Sequence, residues 1–259
     1  GTKVTSARIN FNEPYLMDQP YYLDLNLFLF RRYRESYLEQ RRGGSVTLGR
    51  RFDNNWSVDI TERTEIIKVS SIDTGYAIPG DHTSGKIYVA PDDVIDVQGY
   101  NLINALGPGI GLDTTDSIYR PTQGYKLRFN YEEVLDPISD FGFGSMGASL
   151  KTYHTIYEDI TERKTIVSNR IEGRTIAHGD APVFERYYAG GIGTIRGFEY
   201  RGISPRDGRH DDPIGSDYIV LAGSELTYPL YEEILFGKLF CDTGTVSEVP
   251  AEEVSGNAA

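Results

Sequence analysis

The sequence has one cysteine, one tryptophan and four histidines in 259 residues, and no leader-like stretch at its start. Cys241 cannot close an intramolecular disulfide and has no Cys or His neighbour at metal-ligand spacing. The histidines, His82, His154, His178 and His210, are scattered, and no G-x-S-x-G elbow marks a hydrolase nucleophile. The acidic doublets Asp92-Asp93 and Asp211-Asp212 lack the spacing of a calcium loop and read as solvated loops. The sequence therefore offers no catalytic residue, no metal site and no cofactor site, and an enzyme is not expected. Basic residues are also in deficit: 26 Lys and Arg against 38 Asp and Glu give a net charge of −12, which argues against a nucleic-acid partner. No apolar run reaches the roughly 18 residues of a membrane helix. That absence leaves a membrane barrel open, because barrel strands alternate apolar and polar residues. A mean hydropathy of −0.39 is compatible with either setting.

What is abundant is β-forming and aromatic, with 19 Tyr and 11 Phe. Alternation at period two predicts strands at Thr5–Asn12, Tyr21–Arg32, Ser45–Phe52, Trp56–Ser70, Leu102–Ser117, Gly124–Glu133, Gly142–Glu158, Lys164–Ala177, Tyr218–Tyr228 and Leu235–Val246. In the second, Leu23, Leu25, Leu27 and Leu29 oppose Asp24 and Asn26. In the fourth, Val58, Ile60 and Thr64 alternate with Asp59, Thr61, Arg63 and Glu65. A face so charged suits a wet lumen better than a dry core. Most of these strands exceed the ordinary length of about 5–6 residues and match the roughly 9–11 of a membrane-crossing strand.

The connections Asp53–Asn55, Tyr119–Gln123 and Asp159–Arg163 are short, whereas 71–101 and 178–217 are long. If the strands run up and down, both long loops lie on one side and these three turns on the other, as in outer-membrane barrels. The fold class expected is all-β, an antiparallel up-and-down transmembrane β-barrel over residues 1–247. Residues 248–259 are expected to form a disordered polar tail, and the chain is expected to be a fragment.

Inside the longest loop, Phe184–Phe198 reads FERYYAGGIGTIRGF. An aromatic-rich segment, a double glycine and Ile-Arg-Gly-Phe in that order resemble the signature of the BamA-type outer-membrane protein-assembly barrels, the bacterial surface antigen superfamily. Other segments are similar to that family in the same order. Gly1–Met17 resembles an early strand pair ending in a Pro-Tyr turn. Tyr119–Gly124, YRPTQG, with Pro121 and Gly124, resembles its periplasmic turn. Ser224–Pro229, SELTYP, and Phe240–Val246, FCDTGTV, resemble the two strands that follow the signature.

The resemblance implies an incomplete barrel, about ten strands of an even-numbered family barrel of about sixteen, with gate strands outside this chain. It implies that the loop carrying Gly190, Gly191, Ile195, Arg196, Gly197 and Phe198 folds into the lumen, where Arg196 meets Asp242 and Glu225. Alternation also turns both acids inward, because Leu226, Tyr228, Leu239 and Cys241 suit the lipid side. Losing Arg196 is then expected to free residues 185–210. The function implied is folding and inserting β-barrel proteins into the cell outer membrane. Its expected partners are unfolded outer-membrane protein clients, outer-membrane lipids, periplasmic repeat domains upstream in the same chain and accessory lipoproteins. A two-partner-type secretion pore, or the barrel of a barrel–passenger fusion, is the alternative, and a passive porin would keep its lumen clear.

Overall fold

In a computed structural model, the structure describes residues 4–76, 86–88, 90–208, 211–231 and 234–247; the tail 248–259, His82 and His210 lie outside them. Ten long antiparallel strands form one sheet. They are β1 (Val4–Glu13), β2 (Tyr21–Tyr33), β3 (Leu38–Arg51), β4 (Trp56–Ser70), β7 (Gly99–Asp113), β8 (Gly124–Val134), β9 (Phe143–Glu158), β10 (Lys164–Gly179), β13 (Tyr218–Tyr231) and β14 (Leu235–Ser247). Two small ribbons pair β5 (Thr74–Tyr76) with β6 (Lys86–Tyr88) and β11 (Arg206–Asp207) with β12 (Asp212–Pro213), and a five-residue helix α1 (Asp92–Asp96) follows β6. In the large sheet, every strand pairs with the long strands before and after it in sequence, and β1 and β14 pair on one side only.

This order alternates the connections strictly between two rims. The 71–98 and 180–217 connections share one rim, and the links at 14–20, 52–55, 114–123 and 159–163 share the other. One expected boundary was too short. β3 begins at Leu38 rather than Ser45, because Arg41 and Arg42 continue the ladder and Gly43 and Gly44 pair with Glu65 and Thr64. A Cβ on Gly43 would lie 2.5 Å from the Cβ of Glu65, so the neighbouring strand needs glycine there. The Leu102–Ser117 strand is displaced, running instead from Gly99 to Asp113, where Asp113 turns the chain by accepting from the Thr115 amide at 3.0 Å.

The sheet has two unlike faces. On the outer one, Leu27, Ile60 and Leu239 are 60%, 47% and 62% exposed and belong to a belt of aliphatic and aromatic side chains. A polar chain interrupts this belt where the Thr64 hydroxyl bonds Glu62 and accepts from Asn104. On the inner face the rim bearing the long connections is dry. Ile67, Val69, Ile103, Ala105, Val134 and Phe143 cluster there with Val94 of α1, Val97 at its end, and Ala181, Val183 and Phe184. Residues 90–98 of the first long connection and 181–184 of the second therefore fold back over the inner face. Toward the opposite rim the same face becomes polar.

Candidate functional site

The candidate site is the 180–217 connection and the inner wall that receives it. Glycine permits its tip. Gly190, Gly191, Gly193 and Gly197 all have φ between +90° and +106°, a region that L side chains avoid. Ala189 bridges Ile203 and Tyr187 bridges Ser216, closing the segment into a folded arm. The Thr194 hydroxyl accepts from the Gly190 amide at 2.9 Å and locks the turn between them. Ile195 is buried with Ala189, Ile219 and Leu221, so the arm has an apolar foot on β13. Gly244 of β14 makes room for it, since a Cβ there would lie 3.2 Å from Ile195 Cδ1.

Beside that foot, Arg196 reaches the wall. Its Nε donates to Asp242 Oδ2 at 2.6 Å and its Nη2 to Asp242 Oδ1 at 2.9 Å, a bidentate fork. Its Nη1 donates to Glu225 Oε2 at 3.0 Å, and its backbone amide to Asp242 Oδ2 at 3.2 Å. The guanidinium also lies 3.6 Å from the Phe240 ring centroid, in cation–π range. These hydrogen bonds, Asp242's foremost, push the Arg196 pKa further up, so the group stays a cation at any working pH. Lys238 takes the other oxygen of Glu225 at 2.7 Å, and Arg170 holds the carbonyls of Gly193 and Thr194 at 2.9 and 2.8 Å. Arg170 and Lys238 were not singled out from the sequence, whereas alternation with Leu239 and Cys241 turns Phe240 inward with Asp242. Gly197 and the 57%-exposed Phe198 sit past the anchor and touch neither acid.

A second attachment escaped the sequence reading altogether. Glu185, at the start of the arm, accepts from Arg41 Nη1 at 2.8 Å and from Arg63 Nη2 at 3.0 Å, on β3 and β4. Those arginines are shared with Glu39 (Arg41 Nε, 2.6 Å), with Glu132 on β8 (Arg63 Nη2, 2.7 Å) and with Glu65. Arg34 completes the group by donating to Glu39 at 2.6 Å. Glu39 and Glu65 are 0% and 2% exposed. The available signal was the pair of alternating runs Glu39-x-Arg41 and Arg63-x-Glu65, which put opposite charges on the inner face of adjacent strands. A third tie, Arg186 to Asp93 at 2.6 Å, links the two long connections, so one Asp of the doublet read as solvated is a pairing residue. Burial pushes the Tyr188 phenol up, and the Arg201 guanidinium lies 3.5 Å from its ring centroid.

Away from the arm, Pro121 lies in the 114–123 turn on the other rim, and Gly124 opens β8 directly after it. Gly124 has φ +100°, and a Cβ would meet the Thr114 carbonyl at 2.5 Å. Asp116 organises this turn by accepting from the Thr122 hydroxyl at 2.6 Å and from the Thr122 and Gln123 amides. Those bonds, the hydroxyl's first, lower its pKa from 3.8 to about 2. The Thr161 hydroxyl and the Arg163 amide likewise hold Asp159 below the usual carboxylate range in the 159–163 turn. Among the described residues no three His, Cys, Asp or Glu groups converge as a metal site would require.

The Omp85 superfamily domain matches residues 1–258. The outer membrane protein assembly factor BamA of Nitratidesulfovibrio vulgaris is 30% identical over 151 residues, which is 54% of this chain and 18% of that protein. The protein of the same name from Neorickettsia risticii is 23% identical over 186 residues, 68% of this chain and 23% of its own length. Among solved structures, BamA from Haemophilus ducreyi lacking POTRA domains 1–3 superposes with a TM-score of 0.70 at 19% identity. It covers 99% of this chain and 52% of that one, a likeness of fold. The chain thus spans about a fifth of the length of these curated relatives.

Proposed function

We infer, from the premise that the chain belongs to the Omp85 superfamily, that it supplies barrel wall and lumenal arm to an assembly factor that folds and inserts β-barrel proteins into the outer membrane. Within this reading, residues 1–247 form the wall and the arm, the outer face meets lipid, and the long connections lie on the external side. The clients are unfolded outer-membrane proteins, received with the help of upstream periplasmic repeat domains and accessory lipoproteins. The two relatives named as assembly factors favour this over a secretion pore.

The observation that carries the reading is the arm held across the inner face by Arg196, Asp242 and Glu225. A passive porin would gain nothing from ordering such a segment in its lumen, because fixing the backbone costs about 1–2 kcal/mol per residue. A machine that handles other chains must keep a wide barrel sealed between cycles, and an arm tied by ion pairs can do so. The guanidinium forks onto two wall strands at once. It thereby makes the packing of β13 on β14 and the seating of the arm one cooperative unit.

The test is insertion of an unfolded barrel client into vesicles containing the intact protein, read as the protease-protected, heat-modifiable client. The wild type should insert the client well above protein-free vesicles, and Arg196→Ala should fall several-fold while its strand signal in circular dichroism persists. No client insertion by the wild type, or large steady single-channel currents, would refute the assembly reading. Unchanged insertion by Arg196→Ala would refute the part assigned to the anchor.

A further inference from the structure

On the inner face of β3 and β4, the two arginines nearest the long connections are neutralised, whereas Arg51 at the other rim stacks on Tyr22. Arg41 and Arg63 each touch at least two carboxylates. On the outer face of β2, β3 and β4, near the same rim as that pair, the opposite holds for three cations. Arg31 on β2, Arg42 on β3 and Lys68 on β4 have no carboxylate within 4.0 Å among the described residues. Arg31 donates to the Tyr33 hydroxyl at 3.2 Å, and Lys68 to that of Tyr100 at 3.2 Å, stacking 4.7 Å from its ring centroid. Arg31 and Arg42 are exposed.

The register sets these groups close together. Arg31 faces Gln40, Gln40 faces Lys68 and Lys68 faces Tyr100, a single row across four strands. Arg42 sits one row further from the rim, opposite Leu29 and Ile66, so it is the diagonal neighbour of both Arg31 and Lys68. Diagonal neighbours lie about 7–8 Å apart, within reach of one another's long side chains. The row toward the middle of the sheet holds Leu27 and Gly44 opposite each other. A shallow recess of about 150 Å³ lies among Leu29, Arg42, Ile66, Lys68 and Tyr100.

We propose that this patch is a binding site for the phosphorylated headgroup of a membrane lipid in the leaflet on the long-connection side, with its acyl chains lying over Leu29, Ile66 and Leu27. The inference rests on the membrane-spanning reading above. Three cations at this spacing repel one another, and their tyrosine contacts supply no counter-charge although the chain carries a net charge of −12. A phosphate supplies the missing anion, forked by arginine and met by lysine as a point charge. The position selects a lipid over free phosphate, because the cations form the edge of an outward apolar belt, with Tyr100 and Tyr33 where interfacial aromatics belong. Basic residues at a lipid surface each favour an anionic headgroup by about fivefold, so three together give on the order of a hundredfold.

The test uses the intact protein in phosphatidylcholine vesicles doped with a bis-phosphorylated acylated glucosamine disaccharide or with its dephosphorylated form, reading co-purified lipid by native mass spectrometry. The wild type should retain the phosphorylated lipid on the order of a hundredfold better than the dephosphorylated one. The triple variant Arg31→Gln, Arg42→Gln, Lys68→Gln should abolish that preference. Arg50→Gln should leave it intact, because Arg50 stacks on Tyr21 and Phe52 toward the opposite rim. Equal retention of both lipids by the wild type, retention of neither, or an undiminished preference in the triple variant would overturn the proposal. The wild-type arm needs no substitution, so a variant that failed to fold would not rescue it. Strand amides unprotected from hydrogen exchange in the wild-type vesicles would overturn the membrane reading itself.

Discussion

The arm is fastened at two places, and the two fastenings are opposite in charge and in exposure. At β13 and β14 a cation on the arm, Arg196, meets two acids on the wall, and it is 33% exposed. At β3 and β4 an anion on the arm, Glu185, meets two arginines on the wall. There the side chains are 10–19% exposed and share further carboxylates that are nearly buried. Water reaches the first and largely misses the second. Coulomb attraction is screened where water enters. Where it does not, an unpaired charge is expensive to leave behind. The Glu185 network should therefore dominate the stability of the arm, while the Arg196 fork, being wetter, is the fastening that can open.

The largest expected effect follows from removing the hub of the drier network. Arg41→Ala would strand Glu39, Glu65 and Glu185, with only Arg34 and Arg63 left to share among them, and should lower stability by about 3–5 kcal/mol. The measurement is the unfolding midpoint in detergent micelles, compared with Arg196→Ala, for which about 1–3 kcal/mol is expected because its bonds are charged but partly wet. If the two variants lost equal stability, the contrast would fail.

Arg196→Ala also sharpens the geometry. The simple expectation was release of residues 185–210, but Glu185 and the Tyr187–Ser216 bridge remain seated in the structure, so new protease cleavage should be confined to about 190–203, as mapped by mass spectrometry of the fragments. Arg196→Lys should fall between, keeping the charge and losing the fork. Narrower in reach, because it is confined to the tip, is Gly190→Ala. It forces a Cβ to within 2.3 Å of the Glu199 carbonyl at a φ of +106°, and should destabilise the tip by about 1–3 kcal/mol without touching either fastening. Cleavage at the tip with an unchanged global midpoint would separate the two effects.

The smallest effect concerns acid. The folded-state pKa of Asp116 is depressed, so its contribution is present above about 4 and lost as pH falls through about 2. Protection of the Thr122 and Gln123 amides, taken relative to the intrinsic exchange rate at each pH, should fall as pH drops through that window and stay flat in Asp116→Asn. No pH dependence in the wild type would show that the turn holds without the carboxylate.

The strand count and the sharing of one rim by the long connections were legible because period-two alternation is a property of local sequence, and antiparallel neighbours fix the rest by parity. The Leu38–Ser45 segment was not, because Arg41, Arg42, Gly43 and Gly44 break the alternation that marks a strand. Arg41 serves as a charge hub and Gly43 as space for Glu65. The Arg196 partners could be named because the loop and both wall strands carry a family pattern and the acids fall on inward parity. Glu185 could not, since nothing in FERYY announces which wall it meets. The fold of 90–98 over the inner face was hidden for the same reason: Val94 and Val97 join a cluster with Val183 and Phe184 of the other long connection, far away in sequence.

By itself, then, the sequence determined an antiparallel sheet of long strands with one apolar and one charged face, and the glycines where a tight arm could form. Those are short-range consequences of side-chain alternation and backbone freedom. Tertiary structure alone decided which charges meet, because pairing across a lumen depends on sheet curvature and on how two long connections share one interior. It also decided that three cations of the outer face, Arg31, Arg42 and Lys68, stand away from every described carboxylate.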